Sequence, residues 1–446
     1  MRNAWLALVI AGCVPARSAV FDPVGREVHR RVGSPVSWAE DDHASAAIAA
    51  LLAKPLALDG AVRVAFARNR GLQARFEDLG IAAGDVASAT VLPPLTVDAD
   101  YKRAVSGTGS EVEVTVVQDV LDLLQLGQRR GIAKAELRAA QVRAIAATVE
   151  LAARVEMAFD DALAAQEEIE LVQTAFDAAS ASALLVERQH AAGNTTDLAI
   201  AREQEQRERA RIEIGRATQV LAERRARLGA LLGIADGVSW TLAGRLADPP
   251  AQAPDLRDLD SVATTANLDL EALRADADAA AARHRYASVR AVVPALGVGG
   301  AVARRDGADW EVGPAIRIGI PLFDQQQGPR ARATAQERRA RDLEAATRVE
   351  VAADAQITRG RVDQAFAEAH QIRDVVMPLR KRVLDETVLQ YDAMNASPFE
   401  LLVARRDMVE IAHQYVEAQR RYWSAIAEVT ALRRGGRAMA AKDGTP

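Results

Sequence analysis

Leu95-Thr96-Val97-Asp98-Ala99-Asp100-Tyr101-Lys102-Arg103 decides how this chain is read. Leu95, Val97, Ala99 and Tyr101 alternate with Thr96, Asp98, Asp100 and Lys102. A period of two is that of a β-strand with one apolar and one charged face. Ser106-Gly107-Thr108-Gly109-Ser110 supplies a flexible turn, and a return strand sets Val112, Val114 and Val116 against Glu111, Glu113 and Thr115. The arrangement recurs 201 residues later, where Pro93, Leu95, Val97 and Arg103 reappear as Pro294, Leu296, Val298 and Arg304. There Leu296, Val298, Gly300 and Val302 alternate with Gly and Ala, Asp306-Gly307-Ala308-Asp309 turns, and Val312, Ile316, Ile318 and Ile320 alternate with Glu311, Gly313, Arg317 and Gly319.

The same offset carries Leu121, Gly127 and Arg129 to Leu322, Gly328 and Arg330, and Gln189 and Asn194 to Gln390 and Asn395. Between them Arg154-Val155-Glu156-x-Ala158-Phe159 returns as Arg361-Val362-Asp363-x-Ala365-Phe366 after a six-residue shift. A period this long marks a duplicated half-protein and not a solenoid unit. The expected organisation is a signal peptide over 1–12, a lead segment over 13–54, a first repeat over 55–233, a connection over 234–260, a second repeat over 261–436 and a tail over 437–446. Each repeat runs helix, β-hairpin (about 95–119 and about 295–320), then long helical hairpin (about 125–233 and about 325–433).

Outside the hairpins the period is helical. Leu58–Val91 reads as one helix ended by Pro93-Pro94. The stretches from about Leu126 to Ala192 and from about Pro329 to Met394 run without a strong breaker except Pro378. At about 1.5 Å per residue each gives a rod on the order of 100 Å. Each rod turns back through a polar segment, Gly193-Asn194-Thr195-Thr196 in the first half and Met394-Asn395-Ala396-Ser397 in the second. Asn194 and Asn395 suit a left-handed helix end, and Thr196 or Ser397 suits the cap of the next helix. The 446 residues are 49% hydrophobic but only 4% aromatic, which favours alanine-rich, closely packed helices over a bulky core. Residues 14–54 read as extended and partly helical, and the end after Gly435-Gly436 as frayed.

Net charge is −5 with acids and bases interspersed, so nothing marks a nucleic-acid partner. No uninterrupted apolar run reaches the length of a spanning helix. The lone cysteine, Cys13, excludes an intrachain disulfide. It follows Met1-Arg2 and a short apolar stretch in a secretion-signal layout. Ile10-Ala11-Gly12-Cys13 resembles the bacterial lipobox, which implies lipidation at Cys13; an ordinary signal peptide with an incidental cysteine is the alternative. Val14 stands where that resemblance associates Asp with inner-membrane retention, favouring the outer membrane.

Four strands cannot close a barrel with a polar lumen, open edges are not tolerated in lipid, and charges facing acyl chains cost several kcal/mol. Pooling strands from three copies gives about 12 strands around an aqueous interior. Tyr101 and Trp310 suit an interface belt. A soluble antiparallel sheet with one wet face remains the alternative on strand pattern alone.

The whole chain from about Pro55 to Gly436 resembles the TolC family of outer-membrane efflux proteins. Leu58-Asp59-x-Ala61-Val62-x-x-Ala65-x-x-x-Asn69 looks like that family's opening helix, and Gly319-Ile320-Pro321-Leu322-Phe323-Asp324 like its second-hairpin exit. The turns at Gly193 and Met394 look like its two helical tips. The resemblance implies a mainly α fold with a membrane β-barrel part, a homotrimer whose four strands per chain complete a 12-stranded barrel, and long helical hairpins forming a periplasmic tunnel. It implies a passive exit duct with no enzyme activity and no cofactor. The implied partners are a periplasmic adaptor (membrane fusion) protein, an inner-membrane transporter and outer-membrane lipid. A periplasmic coiled-coil scaffold or adaptor-like lipoprotein without a pore is the alternative.

On that reading Asp98, Asp100, Lys102, Glu111, Glu113 and Arg317 line the pore, each made a ring by threefold symmetry. Gly193, Asn194, Thr195, Thr196, Met394, Asn395, Ala396 and Ser397 form tips that contact the adaptor. Tyr391 and Glu400 fall where the family narrows its entrance, although Met394 replaces the usual Gly and Val403 and Ala396 replace an acidic and a basic position. No metal-ligand spacing joins the six histidines, and no phosphate loop or nucleophile motif stands out.

Overall fold

The computed structural model describes residues 15–38, 42–106, 109–234 and 238–438. The signal segment, Cys13 and the tail from residue 439 lie outside the described residues.

Val20, Val24 and Val28 recur at every fourth residue and are buried, and they draw Arg17–Val32 into helix α1 despite Pro23. With α2 (Asp42–Leu52), the lead segment is more helical than its prolines and glycines suggest. The expected helix over 58–91 divides into α3 (Leu58–Arg68) and α4 (Arg70–Thr90). Asn69 makes the break: its backbone is extended (φ −67°, ψ 107°), its Oδ1 accepts from the Leu72 amide at 2.9 Å, and its Nδ2 donates to the Leu231 carbonyl at 2.9 Å. The side chain thus caps a new helix.

Strands β1 (Leu95–Arg103), β2 (Ser110–Asp119), β3 (Leu296–Arg305) and β4 (Glu311–Ile318) form one antiparallel sheet in the order β1-β2-β3-β4. Their lengths approach the 9–11 residues of a tilted membrane strand. The duplicated hairpins meet through β2 and β3, with Val116 opposite Gly300 and Gln118 opposite Val298. Pro314 sits in β4, an edge strand, where its missing N–H breaks no ladder.

The helical elements between are α5 (Val120–Leu124), α6 (Leu126–Ala191), α7 (Asp197–Leu232), α8 (Leu259–Ala266) and α9 (Leu268–Val292). The second long rod is not continuous. α10 (Gln327–Gln371) passes into a π-helical turn (Ile372–Val376), then α11 (Met377–Asp392) and α12 (Pro398–Arg433). Pro378 lacks an N–H and its ring crowds the preceding turn, so the helix widens there instead of running through. One stretch of the 66-residue α6 is apolar enough to cross a bilayer by length and composition alone. It qualifies the sequence expectation without naming a span, because α6 runs on through charged turns such as Glu167-Glu168 and Glu187-Arg188.

The chain forms two compact units, each taking segments from both repeats. Of the described residues, one comprises 15–24, 75–144 and 268–348 and holds the sheet. Its helices pack through small residues and ion pairs such as Arg138–Glu271 (3.1 Å) and Arg290–Asp122 (2.9 Å). The other comprises the described residues within 25–74, 145–267 and 349–438. Tyr422, Val351, Val362, Leu259 and Leu432 sit at its core, with Glu428 buried and held by Thr358 and Arg361. The described part of the connection before α8 lies across these helices. Trp423 Nε1 donates to Ala247 O at 2.7 Å, Tyr415 Oη to Asp248 at 2.7 Å and Arg373 to Pro249 O at 3.2 Å. Just past α12, Arg31 donates to the Arg434 carbonyl at 2.8 Å and Ala438 is buried; the rest of the end expected to fray lies outside the described residues.

Candidate functional site

The register sorts every strand residue onto one of two faces. Leu95, Val97, Ala99 and Tyr101 share a face with Val112, Val114, Val116, Val298, Val302, Val312, Ile316 and Ile318. This face is exposed: Val97 at 61%, Val312 at 79% and Ile316 at 68%. A contiguous exposed apolar face marks an interaction with lipid or protein. The opposite face carries all six predicted lining residues, Asp98, Asp100, Lys102, Glu111, Glu113 and Arg317. Sequence reasoning left Asp119, Arg305 and Glu311 out of that set, although their parity in the strands places them on it.

The polar face is paired within itself. Arg317 reaches Asp98 at 2.6 Å, Lys102 reaches Glu113 at 3.4 Å and Arg305 reaches Glu111 at 3.6 Å. The Arg317–Asp98 pair joins the two edge strands, so the sheet curls with its charged side inward. Small residues allow the curl. A Cβ on Gly299 would lie 1.8 Å from the Val116 carbonyl oxygen, and one on Gly297 2.5 Å from a Val117 methyl. Tyr101 and Trp310 both lie exposed near the hairpin turns, and Arg304 stands over the Trp310 ring at 5.8 Å.

The two helical tips share one backbone design. At the first, Gly193 is left-handed (φ +75°), and the amides of Asn194 and Gly193 donate to the carbonyls of Gln189 and His190 at 2.9 and 2.8 Å. At the second, Met394 is left-handed (φ +60°), and Asn395 and Met394 donate to Gln390 and Tyr391 at 2.8 and 2.9 Å. The left-handed positions are therefore Gly193 and Met394, and not Asn194 and Asn395 as the sequence suggested. Asparagine tolerates that conformation, but the helix-ending bonding pattern places it one residue earlier. Thr196 caps α7 by accepting from Ala199 at 3.3 Å, and Ser397 caps α12.

Glu400 completes a capping box. Its carboxylate accepts from the Ser397 amide at 2.7 Å and from Ser397 Oγ at 3.0 Å. These bonds hold its pKa below the usual value. Tyr391 is half-buried one turn before the tip, and Met394 is 93% exposed. Thr195, Asn194 and Ala396 carry no side-chain bond of their own among the described residues. The tips touch through Arg202, whose guanidinium stands 6.0 Å from the Phe399 ring.

Away from the tips, a cleft of about 660 Å³ lies among α6, α7 and α12, lined by Asp161, Glu168, Glu213, His413, Glu417 and Arg420. Arg420 and Arg224 both bind Asp161, at 2.9 and 2.8 Å. His413 Nδ1 lies 2.6 Å from Glu168. Glu168, as hydrogen-bond acceptor and then as a charge, raises the imidazole pKa against the burial that lowers it. No group of three or more metal-ligating side chains occurs among the described residues.

A sheet with one lipid-compatible and one charged face, joined to paired long helices with matched tips, defines a membrane channel subunit. Residues 45–234 match the outer membrane efflux protein family. The chain is 25% identical over 372 residues to the cobalt-zinc-cadmium resistance protein CzcC of Cupriavidus metallidurans, covering 82% of this chain and 86% of that one. It shares its fold with the CmeC outer membrane channel of Campylobacter jejuni (TM-score 0.63, 16% identity, 86% of each chain). The open-state MtrE outer membrane channel of Neisseria gonorrhoeae is similar at TM-score 0.62 and 18% identity, over 85% of this chain and 89% of that one. Residues 45–234 are thus a segment of the outer membrane efflux protein (TolC) kind, and the chain is an efflux channel of a tripartite system. It resides in the outer membrane with a periplasmic extension.

Proposed function

We propose that three copies of this chain assemble into a 12-stranded barrel continued by a helical tunnel, and that the tunnel receives cargo from a periplasmic adaptor and an inner-membrane transporter. The observation carrying this is the sheet: one exposed apolar face, one charged face and two unpaired edges. Neighbouring copies would pair the edges and turn the charged face inward. Asp98, Asp100, Glu111, Glu113, Asp119 and Glu311 then outnumber Lys102, Arg305 and Arg317 around the lumen, and the rings favour cations. That preference agrees with a relative named for cobalt, zinc and cadmium resistance, and divalent metal ions are the cargo class it supports.

The tips are the periplasmic entrance, where Gly193 to Thr196 and Met394 to Ser397 meet the adaptor. Tyr391 and Glu400 flank the narrowing, Glu400 also fixing the start of α12. Cys13 carries the lipid anchor, and its Ser variant is expected to lose the added acyl mass. The test of the channel is the mass of the purified protein in detergent, followed by reversal potentials in a planar bilayer under a KCl gradient. A trimer with cation-selective conductance is expected. A monomer without conductance refutes the assembly, and an anion-selective trimer refutes the lining.

A further inference from the structure

The helix ends that adjoin the sheet are strongly basic, although the chain as a whole is acidic. The first sixteen residues of α10 hold Arg330, Arg332, Arg338, Arg339 and Arg341 against Glu337 and Asp342. The first turns of α6 hold Arg129, Arg130 and Lys134, and the last turns of α9 hold Arg283, Arg285 and Arg290. The nearby acids are mostly engaged. Asp122 binds Arg290, Glu136 binds Arg283, and Glu337 binds Arg341 at 2.5 Å. Arg129 and Arg130 donate to the carbonyls of Ser88 and Thr90. Lys134, Arg285, Arg330 and Arg332 are exposed and have no acidic partner among the described residues; Asp85 and Asp342 are the unengaged acids nearby.

The apolar face runs directly into this region. Ile320, Leu322 and Phe323, just past β4, are exposed at 73%, 73% and 92%. Asp324 and Gln325 to Gln327 then close a turn, in which Asp324 Oδ1 accepts from the Gln326 amide at 2.8 Å. Arg330 and Arg332 are the fourth and sixth residues of α10, about 5–8 Å along its axis. The polar headgroup layer on one side of a bilayer is about 5–8 Å thick. A chain that leaves hydrocarbon at Phe323 therefore carries these two guanidiniums through headgroup depth. A guanidinium is suited to planar, bidentate recognition of phosphate oxygens.

We propose that Arg330 and Arg332, backed by Lys134 and Arg285, form a collar that binds anionic phospholipid headgroups in the periplasm-facing leaflet of the outer membrane. This rests on the channel reading and adds a lipid class to it. The duplication supports a collar over a single site, because Arg129 occupies in the first repeat the place of Arg330 in the second.

The test uses the full-length protein reconstituted in phosphatidylcholine vesicles doped with spin-labelled phosphatidylglycerol or spin-labelled phosphatidylcholine of identical chains. The readout is the fraction of each probe immobilised by the protein. The parent is expected to prefer phosphatidylglycerol severalfold, and 1 M NaCl to weaken that preference by shortening the Debye length to about 3 Å. Arg330→Gln/Arg332→Gln is expected to abolish the preference while trimer mass and conductance stay unchanged. An unchanged preference in the variant overturns the collar. So does a variant trimer that dissociates, which would put the arginines against a neighbouring subunit, or one with altered ion selectivity, which would put them in the lumen. Failure of the parent to insert or conduct overturns the channel reading instead.

Discussion

Met394→Gly removes the difference between the two tips at their left-handed position. Gly193 and Met394 occupy equivalent positions, both left-handed, and both end their helices with the same pair of amide-to-carbonyl bonds. For a residue bearing a Cβ that conformation costs about 1–2 kcal/mol. Glycine removes the strain but adds about 0.5–1 kcal/mol of unfolded-state entropy. Met394 is 93% exposed, so its removal forfeits little burial. The net expectation is a tip stabilised by about 0.5–1 kcal/mol.

The right assay is local, because tips open without global unfolding. Hydrogen exchange at the amides of Asn395 and Ala396, both bonded to the Gln390 carbonyl, reads that opening. The variant should slow exchange about two- to fivefold, the equivalent of 0.5–1 kcal/mol. Gly193→Met should accelerate exchange at Asn194 by a similar factor. Unchanged protection in Met394→Gly would refute the argument that the second tip is held under strain.

The sheet offers a paired test. Gly299→Ala places a methyl 1.8 Å from the Val116 carbonyl, so β2 and β3 must separate or shift, whereas the nearest atom to a Cβ on Gly300 is 3.7 Å away. Loss of heat-resistant trimer on gels is expected for the first substitution and retention for the second. The helical unit should lose stability as pH rises. Burial and the neighbouring Glu156 and Asp161 push the Asp160 pKa up to about 7, so the fold favours its neutral form; that contribution is full below about pH 4 and lost progressively through about pH 7. His413, raised by Glu168, acts in the same direction above its ordinary value of 6.5. Asp160→Asn is expected to add about 1–3 kcal/mol at pH 8 and to flatten denaturant midpoints between pH 4 and 8.

Much of this was legible because side-chain parity in a strand is unforgiving. Once Leu95, Val97 and Tyr101 are assigned to one face, Asp98 and Asp100 must lie on the other, and a one-residue slip would invert the sheet. The helical hairpins were legible for the opposite reason: breakers are rare in them, and the polar tips interrupt a long uniform period. What escaped reading depended on three-dimensional partners. Asn69 breaks a helix because Leu231, far away in sequence, offers it a carbonyl. The π-helical turn before Pro378 is one of several ways a helix can absorb a proline, and sequence does not choose among them. Glu311 already shared the parity of Arg317 in the sequence, whereas Arg305 ends β3, whose extent had to be known before its place on the polar face was fixed.

The polar face links the protomer to its assembly. Arg317 and Asp98 lie on opposite edge strands, three strand spacings or about 14 Å apart along a flat sheet. They meet at 2.6 Å because Gly297 and Gly299 let the sheet curl. In a lone chain this clasp closes the charged surface on itself and leaves only apolar surface outward. In a 12-stranded barrel each protomer subtends a third of the circumference, and the curl must relax for β1 and β4 to pair with neighbouring copies. The exposed ion pair contributes little by itself, about 0–1 kcal/mol, so its opening is a small cost against the ladder bonds gained at three new edges. On the proposed barrel the glycines would have two tasks that a larger residue would fail: to admit the curled form before assembly, and to keep the lumen side of β3 free of bulk after it.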